Sequence, residues 1–192
     1  MDHLIHEALH IAIVAGKNNV DFYRSAAARV DDGGVRRLFE RLADEEAQHL
    51  DFFLELYPGP EFGDLQSLLS KPPHLTNPRH NALPADLSGS TGAREALELA
   101  LEVEDICLDR YSVLVEAIRV PTVHTLFELA LDKTLRRAAV LREEYLQFNK
   151  DGRLDIPRRL RVIGGRSHGN QECNAAAGQD FGAGGTSAGQ RL

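Results

Sequence analysis

Shifted by 88 residues, the 192-residue chain lies over itself. Ala8-Leu9 then falls on Ala96-Leu97, Ala12 on Ala100, Asp21 on Asp109 and Tyr23 on Tyr111. Further along, Leu38-Phe39-Glu40 falls on Leu126-Phe127-Glu128, Asp44 on Asp132 and Tyr57 on Tyr145. No gap is needed, and all four tyrosines pair with one another. A chain built this way folds as two similar units packed together. Only the first copy holds Glu46-x-x-His49, a spacing that puts both side chains on one helix face a turn apart. The second copy has Thr134 and Arg137 at those places.

Apolar residues recur at helical spacing in four long stretches. The first covers about 3–30, with Ile5, Leu9, Ala12, Gly16, Val20, Tyr23 and Ala27 on one stripe, and stops at Asp31-Asp32-Gly33-Gly34. The second covers about 35–57, its stripe including Leu38, Leu42, Glu46, His49 and Phe53, and Pro58-Gly59-Pro60 ends it. The third covers about 92–118, capped by Ser90 or Thr91, with Leu97, Ala100, Glu104, Leu108 and Tyr111 facing one way. Pro121 suits the first turn of the fourth, which runs to about 149. Between the second and third lies a proline-broken segment of roughly 34 residues in which 65–70 can form a short helical turn. That segment is long enough to travel the bundle, so the second and third helices are expected to be parallel. The expectation is an all-α four-helix bundle with one long crossover over 1–150.

An extension follows over 151–192. Half of the chain's 16 glycines lie from residue 164 onward, with hardly any large apolar side chain, so this tail is expected to be disordered. The net charge of −7 and the absence of a basic stripe argue against nucleic acid as a partner. No apolar run approaches the roughly 20 residues a membrane span needs, and the N-terminus lacks the pattern of a secretory signal. Cys107 and Cys173 form no C-x-x-C pair, so neither a zinc knuckle nor a disulfide framework is expected. A soluble cytoplasmic protein is the expectation.

The stretches IAIVAGKNNVDFYRSAA, FERLADEEAQHLDFF and ALELALEVEDICLDRY resemble the rubrerythrin branch of the ferritin-like superfamily. The resemblance covers the helices, roughly 5–148. It implies a two-iron site built from a Glu on the first and third helices and a Glu-x-x-His on the second and fourth, and it implies redox chemistry on oxygen or peroxide. Placed residue by residue, the third-helix Glu matches Glu104 and the second-helix pair matches Glu46 and His49. The first-helix Glu falls on Gly16, and the fourth-helix pair falls on Thr134 and Arg137. The rubredoxin module of that family is absent, and nothing points to haem. A homodimer is expected by analogy.

These departures are chemically severe. Thr134 offers a neutral oxygen where a carboxylate belongs, and Arg137 neither deprotonates nor coordinates a cation. Glu46, Glu104 and Arg137 together carry −1, far short of what two divalent ions need. One reading follows directly: Arg137 reaches into the space left by Gly16 and Thr134 and pairs with Glu104, Glu46 or both, because buried carboxylates require a counter-ion. A second reading has Glu46, His49 and Glu104 hold a single metal, iron being the expected one, with Arg137 turned outward. A third completes a two-metal site from unidentified residues. The chain is thus read either as a non-catalytic bundle, binding at most one metal weakly, or as a non-haem iron oxidoreductase using the retained ligands.

Other candidates have plainer readings. Cys107, three residues after Glu104, is a possible ligand or a small buried hydrophobe. His3, His6 and His10 share a face and could grip a metal or be incidental. Tyr23 and Tyr111 are expected to point inward, where they pack and hydrogen-bond, or serve redox chemistry. Glu45 is expected to be solvated. His74, His80, His124 and His168 have no partner visible in sequence.

Overall fold

Asp32 decides how the first hairpin is made. Its carboxylate accepts from the backbone N–H groups of Gly34 at 2.8 Å and Val35 at 2.9 Å. The cluster that was expected to end one helix therefore also starts the next. The computed structural model describes residues 3–73 and 81–148. His74, His80, His168, Cys173 and the extension from 151, including the tail expected to be disordered, lie outside them.

Five helices are defined among the described residues: α1 (His3–Arg29), α2 (Gly33–Leu56), α3 (Leu65–Ser70), α4 (Gly89–Ala117) and α5 (Pro121–Gln147). The protein is an all-α helical bundle. α1 pairs extensively with α2, and α4 with α5, as two hairpins. Pro121 occupies the first turn of α5, where its missing N–H costs nothing.

The direction of the second hairpin follows from its ends. Leu87, just before α4, makes a parallel bridge with Val30, at the α1–α2 turn. Ile118, just after α4, belongs to one core cluster with Ile5 and Tyr57 at the opposite end of the bundle. The crossover thus runs the bundle's length and leaves α2 and α4 parallel, as its length predicts. Arg29 holds its return by donating to the carbonyls of Leu83 at 3.0 Å and Pro84 at 3.2 Å. Lys17, buried, donates to Asp21 and to the Lys71 carbonyl at 2.9 Å, fixing the outgoing part.

α4 begins three residues earlier than its periodicity predicts. Ser88, rather than Ser90 or Thr91, is its N-cap, and makes no side-chain capping bond. Gly92 explains the difference. A Cβ there would lie 2.2 Å from the Leu87 carbonyl carbon, so only glycine lets the crossover backbone press against the helix.

The core shows the duplication in three dimensions. Tyr23 stacks near Phe39 with ring centroids 6.1 Å apart, and their counterparts Tyr111 and Phe127 lie 5.9 Å apart. Phe53 adds to the second layer, 6.3 Å from Tyr111 and 5.3 Å from Phe127. His49 lies 5.1 Å from Phe53 between ring centroids, and Glu104 is hydrogen-bonded to the Tyr23 hydroxyl.

Candidate functional site

Each of the four long helices sends residues inward at the spacing of its stripe. α1 contributes Asn19 and Tyr23, α2 Glu46 and His49, α4 Glu104 and Cys107, and α5 Thr134 and Arg137. All eight are buried, and Glu104 and Thr134 have no exposed surface at all.

Arg137 joins the two halves of the molecule. Its Nη1 lies 2.8 Å from Glu46 Oε2, its Nε donates to Glu104 Oε1 at 2.9 Å, and its Nη2 donates to Thr134 Oγ1 at 3.2 Å. The guanidinium therefore bridges a carboxylate from each hairpin, as expected of a counter-ion. Arg137 is 3 % exposed, so these contacts are made away from bulk water. The Glu46 contact is an ion pair off hydrogen-bonding angle.

The remaining partners sort the two carboxylates. Glu46 Oε1 accepts from Asn19 at 3.1 Å, and His49 Nδ1 lies 3.9 Å from Glu46 Oε2. The Tyr23 hydroxyl donates to Glu104 Oε1, which already receives Arg137. Burial pushes Glu46 up, but Arg137, His49 and Asn19 together outweigh it and hold the carboxyl below its ordinary value. Burial also pushes Glu104 up. There it prevails over Arg137, aided by repulsion from Glu46, and the carboxyl titrates above its ordinary range. One cation serves two acids, as a hydrogen bond to Glu104 and as an ion pair to Glu46. Burial works against the charge on Arg137, yet the two carboxylates raise its pKa further.

Gly16 faces this cluster. A Cβ placed on it would stand 3.6 Å from Glu46 Oε1 and 3.1 Å from Leu50 Cδ1. A longer side chain here would point at Glu46, which is where the alignment of the repeats puts the first-helix position.

A two-metal centre does not fit this donor set. The space between Glu46 and Glu104 is bridged by a permanent cation, and Gly16 and Thr134 supply no carboxylate. Among the described residues, no group of three or more His, Cys, Asp or Glu is arranged to hold a metal ion. Three buried atoms of Glu46, His49 and Glu104 nevertheless have no hydrogen-bond partner there: Glu46 Oε2, which is ion-paired with Arg137, and His49 Nε2 and Glu104 Oε2.

The other candidates fall into place around it. Cys107 Sγ accepts from Asn19 at 3.3 Å, and burial, with Glu104 and Glu46 nearby, pushes the thiol up to about 12. It behaves as a small buried group. Tyr23 and Tyr111 both point inward, and burial raises both phenols well above their ordinary value. His6 and His10 lie against Tyr57, at 4.9 and 6.2 Å between ring centroids, while His3 sits 3.7 Å from Glu7. Glu45 is half-exposed, 3.7 Å from Arg41.

Three contacts went unread in the sequence. Asn19 holds both Glu46 and Cys107, and the shift of 88 residues that pairs Asn19 with Cys107 was the available signal. His124 has partners after all: its ring meets the Ile118 carbonyl at 3.0 Å and Glu128 at 3.3 Å, one turn on. The buried Lys17–Asp21 pair has the i, i+4 spacing of an ordinary surface pair, so its burial was invisible.

Neither a protein-family model nor a curated protein matches the chain. A solved structure, a hypothetical protein from Pyrococcus furiosus, is similar over 76 % of this chain and 90 % of its own, with 20 % identity and a TM-score of 0.56. That likeness is one of fold.

Proposed function

We propose that the protein is a rubrerythrin-type, ferritin-like bundle in which an internal arginine has taken the place of the metal pair, leaving a non-catalytic protein that binds at most one metal ion weakly. The observation that carries this reading is the bridge from Arg137 to Glu46 and Glu104 at 2.8 and 2.9 Å. A guanidinium at that position compensates the buried carboxylates as a cation would, without redox capacity. The single crossover between parallel second and third long helices supports the ferritin-like part of the reading.

A second reading rests on the unpartnered His49 Nε2 and Glu104 Oε2. If Arg137 swings out, Glu46, His49 and Glu104 can hold one iron, and the protein is then an iron-binding protein or oxidoreductase. Metal content separates the two. Protein purified from iron-supplemented cells should carry well under one iron per chain and show no oxo-bridged absorbance after anaerobic loading and exposure to oxygen. Stoichiometric iron with that band overturns the metal-free reading. The variant Gly16→Glu, Thr134→Glu, Arg137→His should gain iron, because Gly16 faces Glu46, Arg137 touches both carboxylates and Thr134 touches the Arg137 guanidinium. A folded variant that gains none would mean the ligand positions have been wrongly placed.

A further inference from the structure

α2 and α5 part at the surface to leave a cleft of about 450 Å³ whose lining includes Arg41, Glu45, Lys133, Arg136, Arg137 and Val140. On α5 the residues 133, 136, 137 and 140 recur at helical spacing and form one wall. Four permanent or near-permanent cations thus belong to the lining of one cleft in a chain whose net charge is −7. Arg137 belongs both to this wall and to the buried cluster.

The donors of these cations are only partly used. A guanidinium has five N–H groups. Arg137 commits one to Glu104 and one to Thr134 and points Nη1 at Glu46, so two remain. The Lys133 ammonium stands 5.7 Å above the Phe52 ring and has no carboxylate partner among the described residues. Arg41 meets Glu45 at 3.7 Å, too long for a strong hydrogen bond, whereas Arg136 is held by Asp132 at 2.8 Å.

We propose that this cleft binds a small tetrahedral oxyanion of the phosphate class. Its oxygens accept from Lys133, Arg136 and the uncommitted N–H groups of Arg137, with Arg41 at the rim. The forked geometry of guanidinium suits phosphate oxygens, and the charge-assisted bonds are the strong kind. Glu45 and Asp132 at the surface and Glu46 and Glu104 behind Arg137 oppose the anion, which makes the site weak and its affinity adjustable in both directions. The inference stands on the cleft and its donors, and holds whether or not the bundle descends from a metal protein.

The test is calorimetric titration of the full chain with inorganic phosphate at constant ionic strength, sodium chloride serving as the balancing salt. One saturable site is expected. The double variant Lys133→Gln, Arg136→Gln should weaken binding by at least about tenfold, the worth of one lost charge-assisted bond. Glu45→Gln should instead tighten it by about twofold, the effect of removing one exposed opposing charge. All three positions are exposed or rim residues, so circular dichroism and the unfolding midpoint should stay unchanged. Absence of saturable binding overturns the proposal, as does binding that survives the double variant. So does equal competition by chloride, which would reveal charge attraction without a site.

Discussion

The two hairpins are similar in sequence and supply complementary halves of one polar cluster. α1 and α2 carry Glu46 and His49, with Gly16 on the inner face of α1. α4 and α5 carry Glu104, with Thr134 and Arg137 where the first copy has its acid and imidazole. Of these inward groups the first hairpin offers a carboxylate without a permanent cation, whereas in the second Glu104 is met by Arg137 of the same hairpin. The contact that gives Glu46 its cation exists only across the joint. The aromatic layers made by Tyr23 with Phe39 and by Tyr111 with Phe127 have stayed alike, because packing asks the same of both copies. At the inward polar positions the copies differ instead: Gly16 lies over Glu104, Asn19 over Cys107, Glu46 over Thr134 and His49 over Arg137.

Breaking the joint should have the largest effect. Arg137→Met leaves two buried carboxylates without their cation and should cost about 3–5 kcal/mol in urea unfolding. Adding Glu46→Gln and Glu104→Gln to it should recover most of that loss. A triple variant no more stable than Arg137→Met alone would show that the arginine acts through packing. Next comes Tyr23→Phe, which removes the hydroxyl that crosses from the first hairpin to Glu104. About 1–3 kcal/mol should be lost.

The hairpin turns sharpen the comparison on a smaller scale. Asp32 caps α2 with two side-chain hydrogen bonds, whereas Val120 at the equivalent place before α5 makes none. Asp32→Ala should therefore lower stability by about 1 kcal/mol, and Val120→Ala by much less.

The mildest test at any one pH is titration of the two carboxylates, which should act in opposite directions. Glu46 titrates below its ordinary 4.5, so its contribution is present above that value and lost as pH falls through the folded-state pKa. Glu104 titrates above its ordinary 4.5, so its contribution is complete below that value and lost as pH rises through its folded-state pKa. Stability measured from pH 5 upward should decline in the wild type as Glu104 ionises and should be flatter in Glu104→Gln. In Glu46→Gln the loss below pH 4.5 should shrink. Identical profiles for both variants would remove the distinction drawn between the two acids.

Much of this molecule was legible before any coordinates. The helix spans were readable to within three residues, because an amphipathic stripe and its Gly, Pro and Asp boundaries are local properties. The start of α4 was misread because the close approach of Leu87 to Gly92 joins the helix to a crossover, and periodicity says nothing about what a helix touches. His124 was passed over although Glu128, one turn on, was in plain view. Asn19 carries no signature as a lone amide, and its only signal in the sequence is that the shift of 88 residues lays it on Cys107.

The sequence alone determined the duplication, the lengths of the helices, and which acid, imidazole and guanidinium groups were available to face inward. It also determined that the charges could not sum to those of a two-metal site. Which way the Arg137 side chain turns was decided only in three dimensions. A long flexible side chain has inward and outward rotamers of similar intrinsic energy, and the choice belongs to its surroundings. Here Glu46 comes from α2, Glu104 from α4 and Thr134 from one turn earlier on α5, so the inward rotamer gains its partners only once both hairpins have docked.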